Sequence, residues 1–321
     1  MKSLVGTRIR NLVLLAALAA IPCFAQINRP VQMVVGYVPG GLGDVVARVV
    51  AEKLSIALGQ PVVVENRPGA SGGIAAQGVA RAKPDGQTLL VGQTGEIAVN
   101  KSLVKGLAYD PARDFDAVAL IGSAPLALVV PASAPYATFK AMLEFAKSKP
   151  LAFASSGTGT PGHLAGELLK TRTKADLSHV PYKGAGQALT DVIAGHVDLF
   201  FSSLPAAQPH VKGGKLRILA LSSAQRSAAA PDVPTVAEHG FRNFDFSLWV
   251  GIFAPRGTPK ETVEKLNREI NRILALPDIK DRLGAQGLEI RPMSADQTTE
   301  FVKAEIAKYA GIVEETGVKG E

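Results

Sequence analysis

The chain of 321 residues contains one cysteine, Cys23, and one tryptophan, Trp249. A single thiol excludes a disulfide framework and any zinc site built from several thiolates. Aromatic residues make up 6% of the chain and never interleave with a basic stripe, so the formal charge of +7 lacks the pattern that a phosphate backbone would require. Three of the cations, Lys2, Arg8 and Arg10, stand in the first ten residues, and residues 1–25 hold no acid. Beyond that segment Lys and Arg are interspersed with Asp and Glu, and no nucleic-acid partner is expected. The five histidines, His163, His179, His196, His210 and His239, lack metal-ligand spacing such as H-E-x-x-H, so no metal and no cofactor is expected either. Long apolar runs are missing too: residues 12–21 fall short of the roughly 18 that a membrane span needs. Residues 117–131 are interrupted by Gly122, Ser123 and Pro125, and read as two buried strands meeting at Pro125.

What the N-terminus does have is a basic start, the apolar run, and small residues at Cys23 and Ala25 before Gln26, the pattern of a secretory signal cleaved after Ala25. A lipid anchor on Cys23 is the second reading, which Pro22 disfavours. The remaining chain is too long for one small core, so two lobes are expected.

Short β-branched runs alternate with helical patterns, the mark of a parallel sheet covered by helices. The first set reads strand 31–38, helix 43–58, strand 62–65, helix 74–82 and strand 88–91. The second reads strands 126–130, 151–154, 178–180, 197–201 and 216–221, with helices 138–147, 162–171 and 185–194. A turn-rich connector over 222–243 leads to strand 249–254 and to helices 259–274 and 295–314.

The glycines are placed informatively. Strand 31–38 runs through Pro39-Gly40-Gly41-Leu42-Gly43-Asp44 into a helix, leaving free N–H groups where an anion can approach. Asp44 is expected to cap that helix and order the loop. The arrangement recurs in Ser155-Ser156-Gly157-Thr158-Gly159-Thr160-Pro161-Gly162, now with hydroxyl donors, and in Val180-Pro181-Tyr182-Lys183-Gly184. Ligands of open α/β sheets bind beyond the carboxyl ends of strands, so these loops are expected to converge on one crevice. Two motif matches point elsewhere. Gly40-Gly41-Leu42-Gly43 lacks the glycine spacing of a dinucleotide fingerprint. Gly69-Ala70-Ser71-Gly72-Gly73 satisfies G-x-S-x-G, but Pro68 and Gly69 separate the strand from the serine, and no oxyanion-loop motif precedes it.

Taken together, these segments resemble the Bug family, the TctC-like extracytoplasmic solute receptors of tripartite tricarboxylate transporters. The resemblance runs through Pro39-Gly40-Gly41 with Asp44, Val64-Glu65-Asn66-Arg67-Pro68-Gly69-Ala70 and Pro84-Asp85-Gly86. It continues through Ser156-Gly157-Thr158-Gly159, Val180-Pro181-Tyr182-Lys183-Gly184, Gly195-His196-Val197-Asp198 and Pro231-Asp232-Val233-Pro234-Thr235. Val38 and Gly73-Ile74 depart from the family's usual Pro and Asn-Ile. The resemblance implies a type II periplasmic-binding-protein fold, two α/β lobes around a central cleft. Lobe 1 would hold residues 26–122 plus 248–321, and lobe 2 residues 123–247. It implies a monomeric periplasmic receptor that is not an enzyme, captures a small carboxylate (amino acid, di- or tricarboxylate, or aromatic acid) and serves transporter membrane subunits. The alternatives are a periplasmic sensor for a signalling partner and an exported serine hydrolase using Ser71. The ligand-binding set expected is Tyr37, Gly40, Gly41, Asp44, Gln93, Thr94, Ser155, Ser156, Gly157, Thr158, Thr160, His163, Tyr182, Lys183, Gly184 and Asp198.

Overall fold

The computed structural model describes residues 29–320, so the expected signal over residues 1–25 lies outside the described residues. The described residues form ten strands, eight of them along one path: β1 (Val31–Val35), β2 (Val62–Asn66), β3 (Thr88–Gln93), β4 (Phe115–Pro131), β5 (Leu151–Ser155), β6 (Leu177–Pro181), β7 (Leu199–Ser203), β8 (Leu216–Leu221), β9 (Ser247–Pro255) and β10 (Glu289–Ile290). Their spatial order is β2-β1-β3-β9-β4-β7-β5-β6, with β8 and β10 also paired to β4. The triplet β2-β1-β3 is parallel, as is β6-β5-β7, and between them β4 and β9 run antiparallel to each other.

Residues 115–131 therefore form one strand of 17 residues, not two strands meeting at Pro125. Proline cannot donate to a ladder, which argues against a central strand. Here its position removes the conflict: Pro125 pairs with Ser247 as the last β9 contact, and Leu126 begins the pairing with β7 opposite Ser203. The missing N–H falls where the strand exchanges partners. The next N–H, that of Leu126, donates to Ser222 Oγ at 2.9 Å, and the Ser222 hydroxyl donates to the Phe246 carbonyl at 2.6 Å.

Three apolar clusters follow this layout. Val46, Val50 and Leu54 of helix Leu42–Leu58 pack with Leu266, Ile270 and Ile273 of helix Lys260–Leu274 on the outer face of the β1–β3 half. Val192 of helix Ala185–Ala194 packs with Phe200 and Leu216 on the outer face of the other half. The third cluster spans both halves, from Leu90 through Leu128 and Phe153 to Trp249. Helix Ala295–Thr316 adds Val302, Tyr309 and Ile312 to it, and Glu305 accepts from Trp249 Nε1 at 2.8 Å. At its far end Glu315 pairs with Arg172 of helix Pro161–Thr173. The C-terminal helix thus ties both halves across the crossing strands.

Helices Leu204–Lys212 and Pro277–Ala285 were not expected from the sequence. Pro205 and Pro209 hide the first, because proline inside a helix normally breaks it. In this segment Pro205 occupies the first turn, where no N–H is needed.

Ser222 is fully buried and serves both crossing segments. Ser222→Ala leaves the Leu126 N–H and the Phe246 carbonyl each short of a partner. The expected loss of stability is about 1–3 kcal/mol in urea denaturation, at an unchanged m-value.

Candidate functional site

Strand ends and the loops that follow them bound a cavity of about 250 Å3 between the two halves. One wall comes from Tyr37, Ser71 and the Gln93-Thr94-Gly95 corner, the other from residues 156–162 with Phe201 and Ser203; Leu248 and Trp249 close it from β9. A neighbouring cavity of about 280 Å3 shares Ser203 and Leu248 and reaches Leu42 at the start of helix Leu42–Leu58. Among the described residues, the lining of both holds no Lys, Arg, Asp or Glu.

The loop after β5 is built for presentation. Gly157 and Gly159 take φ of +133° and +78°, values that favour glycine, and so let the chain turn twice within the loop. Thr160 caps helix Pro161–Thr173 by accepting from the His163 N–H, with Pro161 in the first turn. Its own hydroxyl donates to the Gly157 carbonyl at 2.8 Å. Behind the loop, Phe153, His179 and His163 stack, the two imidazoles 3.8 Å apart. His163 Nδ1 accepts from the Gly159 N–H at 3.0 Å, and His179 Nε2 lies 2.6 Å from Ser155 Oγ. Among the described residues, the hydroxyls of Ser156 and Thr158 make no hydrogen bond within the chain, and they stand on the cavity wall.

Of the expected binding residues, Tyr37, Gln93, Thr94, Ser156, Gly157, Thr158 and Thr160 line this cavity. The others stand elsewhere, each for a stated reason. Asp44 accepts from the Gly40 N–H at 2.9 Å and from Arg48 and Asn66, which holds its carboxyl below the usual range and commits it to ordering the loop. The helix cap is Gly41 itself, without a side-chain bond from Asp44. Gly40 and Gly41 approach the crevice only through Leu42 of the second cavity. Ser155 is fully buried with His179, and His163 faces the underside of the loop. Tyr182 donates to Asp191 at 2.8 Å, while Lys183 is exposed and, with Gly184, lies outside the lining. Asp198 accepts from the Ala152 N–H at 2.7 Å and fixes the start of β5. Thr94, although on the wall, spends its hydroxyl on β9, donating to the Ser247 carbonyl and accepting from the Trp249 N–H.

The sequence reading missed Gly95, Leu126, Phe201, Ser203, Leu248 and Trp249. Ser203 ends β7 and precedes a helix, so the strand-end rule that found the other loops applied to it as well. The wall residues of β4 and β9 carry no such signal, because a crossing strand exposes them in mid-strand.

Two buried groups sit behind the walls. Glu96 is fully buried; desolvation pushes its carboxyl up to about 7, although it accepts from the Gln93 N–H at 2.8 Å and the Tyr37 hydroxyl at 2.9 Å. That carboxyl and burial together raise the Tyr37 phenol well above its ordinary value. On the opposite wall, burial lowers His163 and His179 to about 4, so both imidazoles are neutral at pH 7. An unfolded histidine titrates near 6.5, so the unfolded chain binds protons that the native pair refuses between roughly pH 6.5 and 4. Stability from the pair is complete above that window and is lost as pH falls through it. Glu96 contributes the opposite slope between 4.5 and about 7. Side-chain NMR of His163 and His179 should give midpoints near pH 4. Denaturation in a Glu96→Gln background should show stability falling from pH 6.5 to 4; titration of both rings near 6.5 would mean that the pair is not desolvated.

Comparison with known proteins agrees with this architecture. The family model for the tripartite tricarboxylate transporter family receptor, TctC, matches residues 46–318. Protein BugT of Bordetella pertussis is 40% identical over 294 residues, covering 91% of this chain and 90% of that protein. A solved R. palustris structure described with adipate has a TM-score of 0.83 at 35% identity, covering 92% of this chain and 99% of that one. MatC from Rhodopseudomonas palustris with bound malate has a TM-score of 0.79 at 34% identity, covering 89% and 99%. The periplasmic binding protein BugD gives 0.80 at 33% identity, covering 92% and 99%. With the family model spanning most of the chain and relatives aligned along nearly their whole length, this chain belongs to the TctC family of periplasmic solute-binding receptors, with the two-lobed α/β fold of that family.

Proposed function

We propose that this protein captures a small carboxylate in the cavity between its lobes and presents it to the membrane subunits of a tripartite tricarboxylate transporter. The observation that carries the reading is a wall of uncommitted hydroxyls on a preorganised turn, in a lining without charged side chains. Such a wall holds an anion through O–H and N–H dipoles, and the N–H groups of Thr158 and Gly162 have no partner among the described residues. Two relatives in the same family are described with adipate and with malate. A cleft of this size also suits a monomer that encloses its ligand. The lobe limits proposed, 26–122 plus 248–321 and 123–247, agree with the change of partners along β4 near Pro125.

A hydrolase reading finds less support. Ser71 lines the cavity, yet among the described residues its hydroxyl makes no hydrogen bond to a histidine, and the one serine that does approach one, Ser155, is fully buried. The protein is proposed to reach the periplasm by cleavage after Ala25. N-terminal sequencing of exported material should begin at Gln26, and a diacylglyceryl group on Cys23 would show an anchor instead.

Calorimetric titration with mono-, di- and tricarboxylates is expected to find at least one ligand, weakened roughly tenfold to a hundredfold by Thr158→Ala, equivalent to about 1.5–3 kcal/mol for a lost bond to a charged group. A best ligand that is a cation or a sugar would overturn the assignment.

A further inference from the structure

Beside the cleft lies a second chamber of about 430 Å3 that the receptor reading leaves without a role. The partition between them is thin: Ser71, Thr158 and Gly159 line both. Gly159 has no side chain to widen it, and a Cβ there would sit 3.1 Å from Leu103 on the chamber floor. Ser71 is held in place, with φ and ψ of 48° and 47°, while its carbonyl accepts from Asn100 Nδ2 at 3.2 Å and from the Tyr37 hydroxyl at 3.4 Å. Among the described residues the chamber wall carries no charged side chain, and Ile74, Leu103, Val104, Leu107 and Ala108 make up its apolar part. Two of its polar members are engaged with each other, Asn100 donating to Tyr109 Oη, which in turn donates to the Glu96 carbonyl at 2.7 Å; a third, Gln77, makes no side-chain hydrogen bond among the described residues. Ile74 and Val104 remain 53% and 38% exposed, although large apolar side chains normally bury such area.

We infer that this chamber receives the apolar tail of the ligand, so that the preferred solute is a monocarboxylate with an alkyl or aryl tail rather than a dicarboxylate. The inference rests on the carboxylate reading of the cleft. The acid group would meet the Ser156–Thr158 turn, and the tail would pass Ser71 and Gly159 to cover Ile74 and Val104. A second carboxylate at the far end of the tail would enter a mainly apolar space where no described residue supplies a cation to receive it, which is costly. The thin wall of Ser71, Thr158 and Gly159 that the chamber shares with the cleft favours a tail of the same solute over a separate ligand.

The test is calorimetry with hexanoate, octanoate and decanoate, each against the α,ω-dicarboxylate of equal length, alongside the general carboxylate panel. Affinity of the monoacids should rise roughly fourfold per added methylene, the value of burying one CH2 group, and each should exceed its diacid. Val104→Trp and Ala108→Phe fill the chamber from exposed positions that do not line the cleft. Both should abolish the chain-length increment while changing the affinity of the shortest ligand less than twofold, with thermal unfolding confirming that each variant folds. A flat length series, diacids equal to monoacids, or an increment that survives both variants would overturn the chamber assignment and leave the cleft reading intact. Failure of every carboxylate in the panel would remove the cleft reading and this inference together.

Discussion

One strand makes the molecule a two-lobed receptor. β4 pairs with β9 along its first half and with β7 and β8 along its second, so a single backbone belongs to both sheets. A strand so placed must change partners without leaving a buried amide unpaired, because each such orphan costs about as much as a lost hydrogen bond. Pro125 meets the requirement by having no N–H at the exchange point, and Ser222 meets it by receiving the N–H of the next residue. The same few residues set where the pairing passes from one half to the other and where the walls of the cleft begin. Leu126 on β4 and Leu248 and Trp249 on β9 line the cavity because the strands that connect the lobes also form its back.

Placing the proposed carboxylate in that space raises an electrostatic problem, and the described lining offers dipoles in place of counter-ions. A lysine or arginine in the lining would attract any anion and would itself need hydration or a partner when the site is empty. Hydroxyls and N–H groups on a rigid turn cost less to keep unliganded, and they discriminate by geometry. Rigidity then becomes the requirement. The stacked Phe153, His179 and His163, the Thr160 cap and the bonds from Ser155 supply it from below. Much of what looked like binding chemistry in the sequence, His163, Ser155, Asp44 and Asp198, turns out to hold the loops that bear the donors.

That division explains what the sequence disclosed. Strand-to-helix loops rich in glycine, serine and threonine announce themselves by composition, and residues 155–162 were legible for that reason. Polar residues within such loops look alike whether they face the ligand or the loop's own backbone; only the fold separates Thr158 from Ser155. β4 was misread because an interior proline usually ends a strand, and the signal that overrides it, Ser222, lies 96 residues beyond Leu126. Wall residues contributed from mid-strand, such as Trp249, follow from the crossing topology and from no local pattern.

The two lobes also differ in how they keep their walls neutral. On one side, desolvation holds a carboxyl, Glu96, close to the point where it gains a proton; on the other it keeps two imidazoles from gaining one. Each group accepts a hydrogen bond that shapes its wall, Glu96 from Gln93 and Tyr37, and His163 from Gly159. The proton-linked contributions run in opposite directions: the carboxyl weakens the fold as pH rises toward 7, and the imidazoles weaken it as pH falls toward 4. Between those limits the one carboxyl offsets only one of the two imidazoles, so the three groups together lose stability as pH falls from about 6.5 to about 4.5 and contribute a constant amount above about 7. The proposed anion site thus stands between buried groups whose ionisation burial disfavours, through the same packing of Phe153 and the Gln93–Glu96 corner that gives the walls their form.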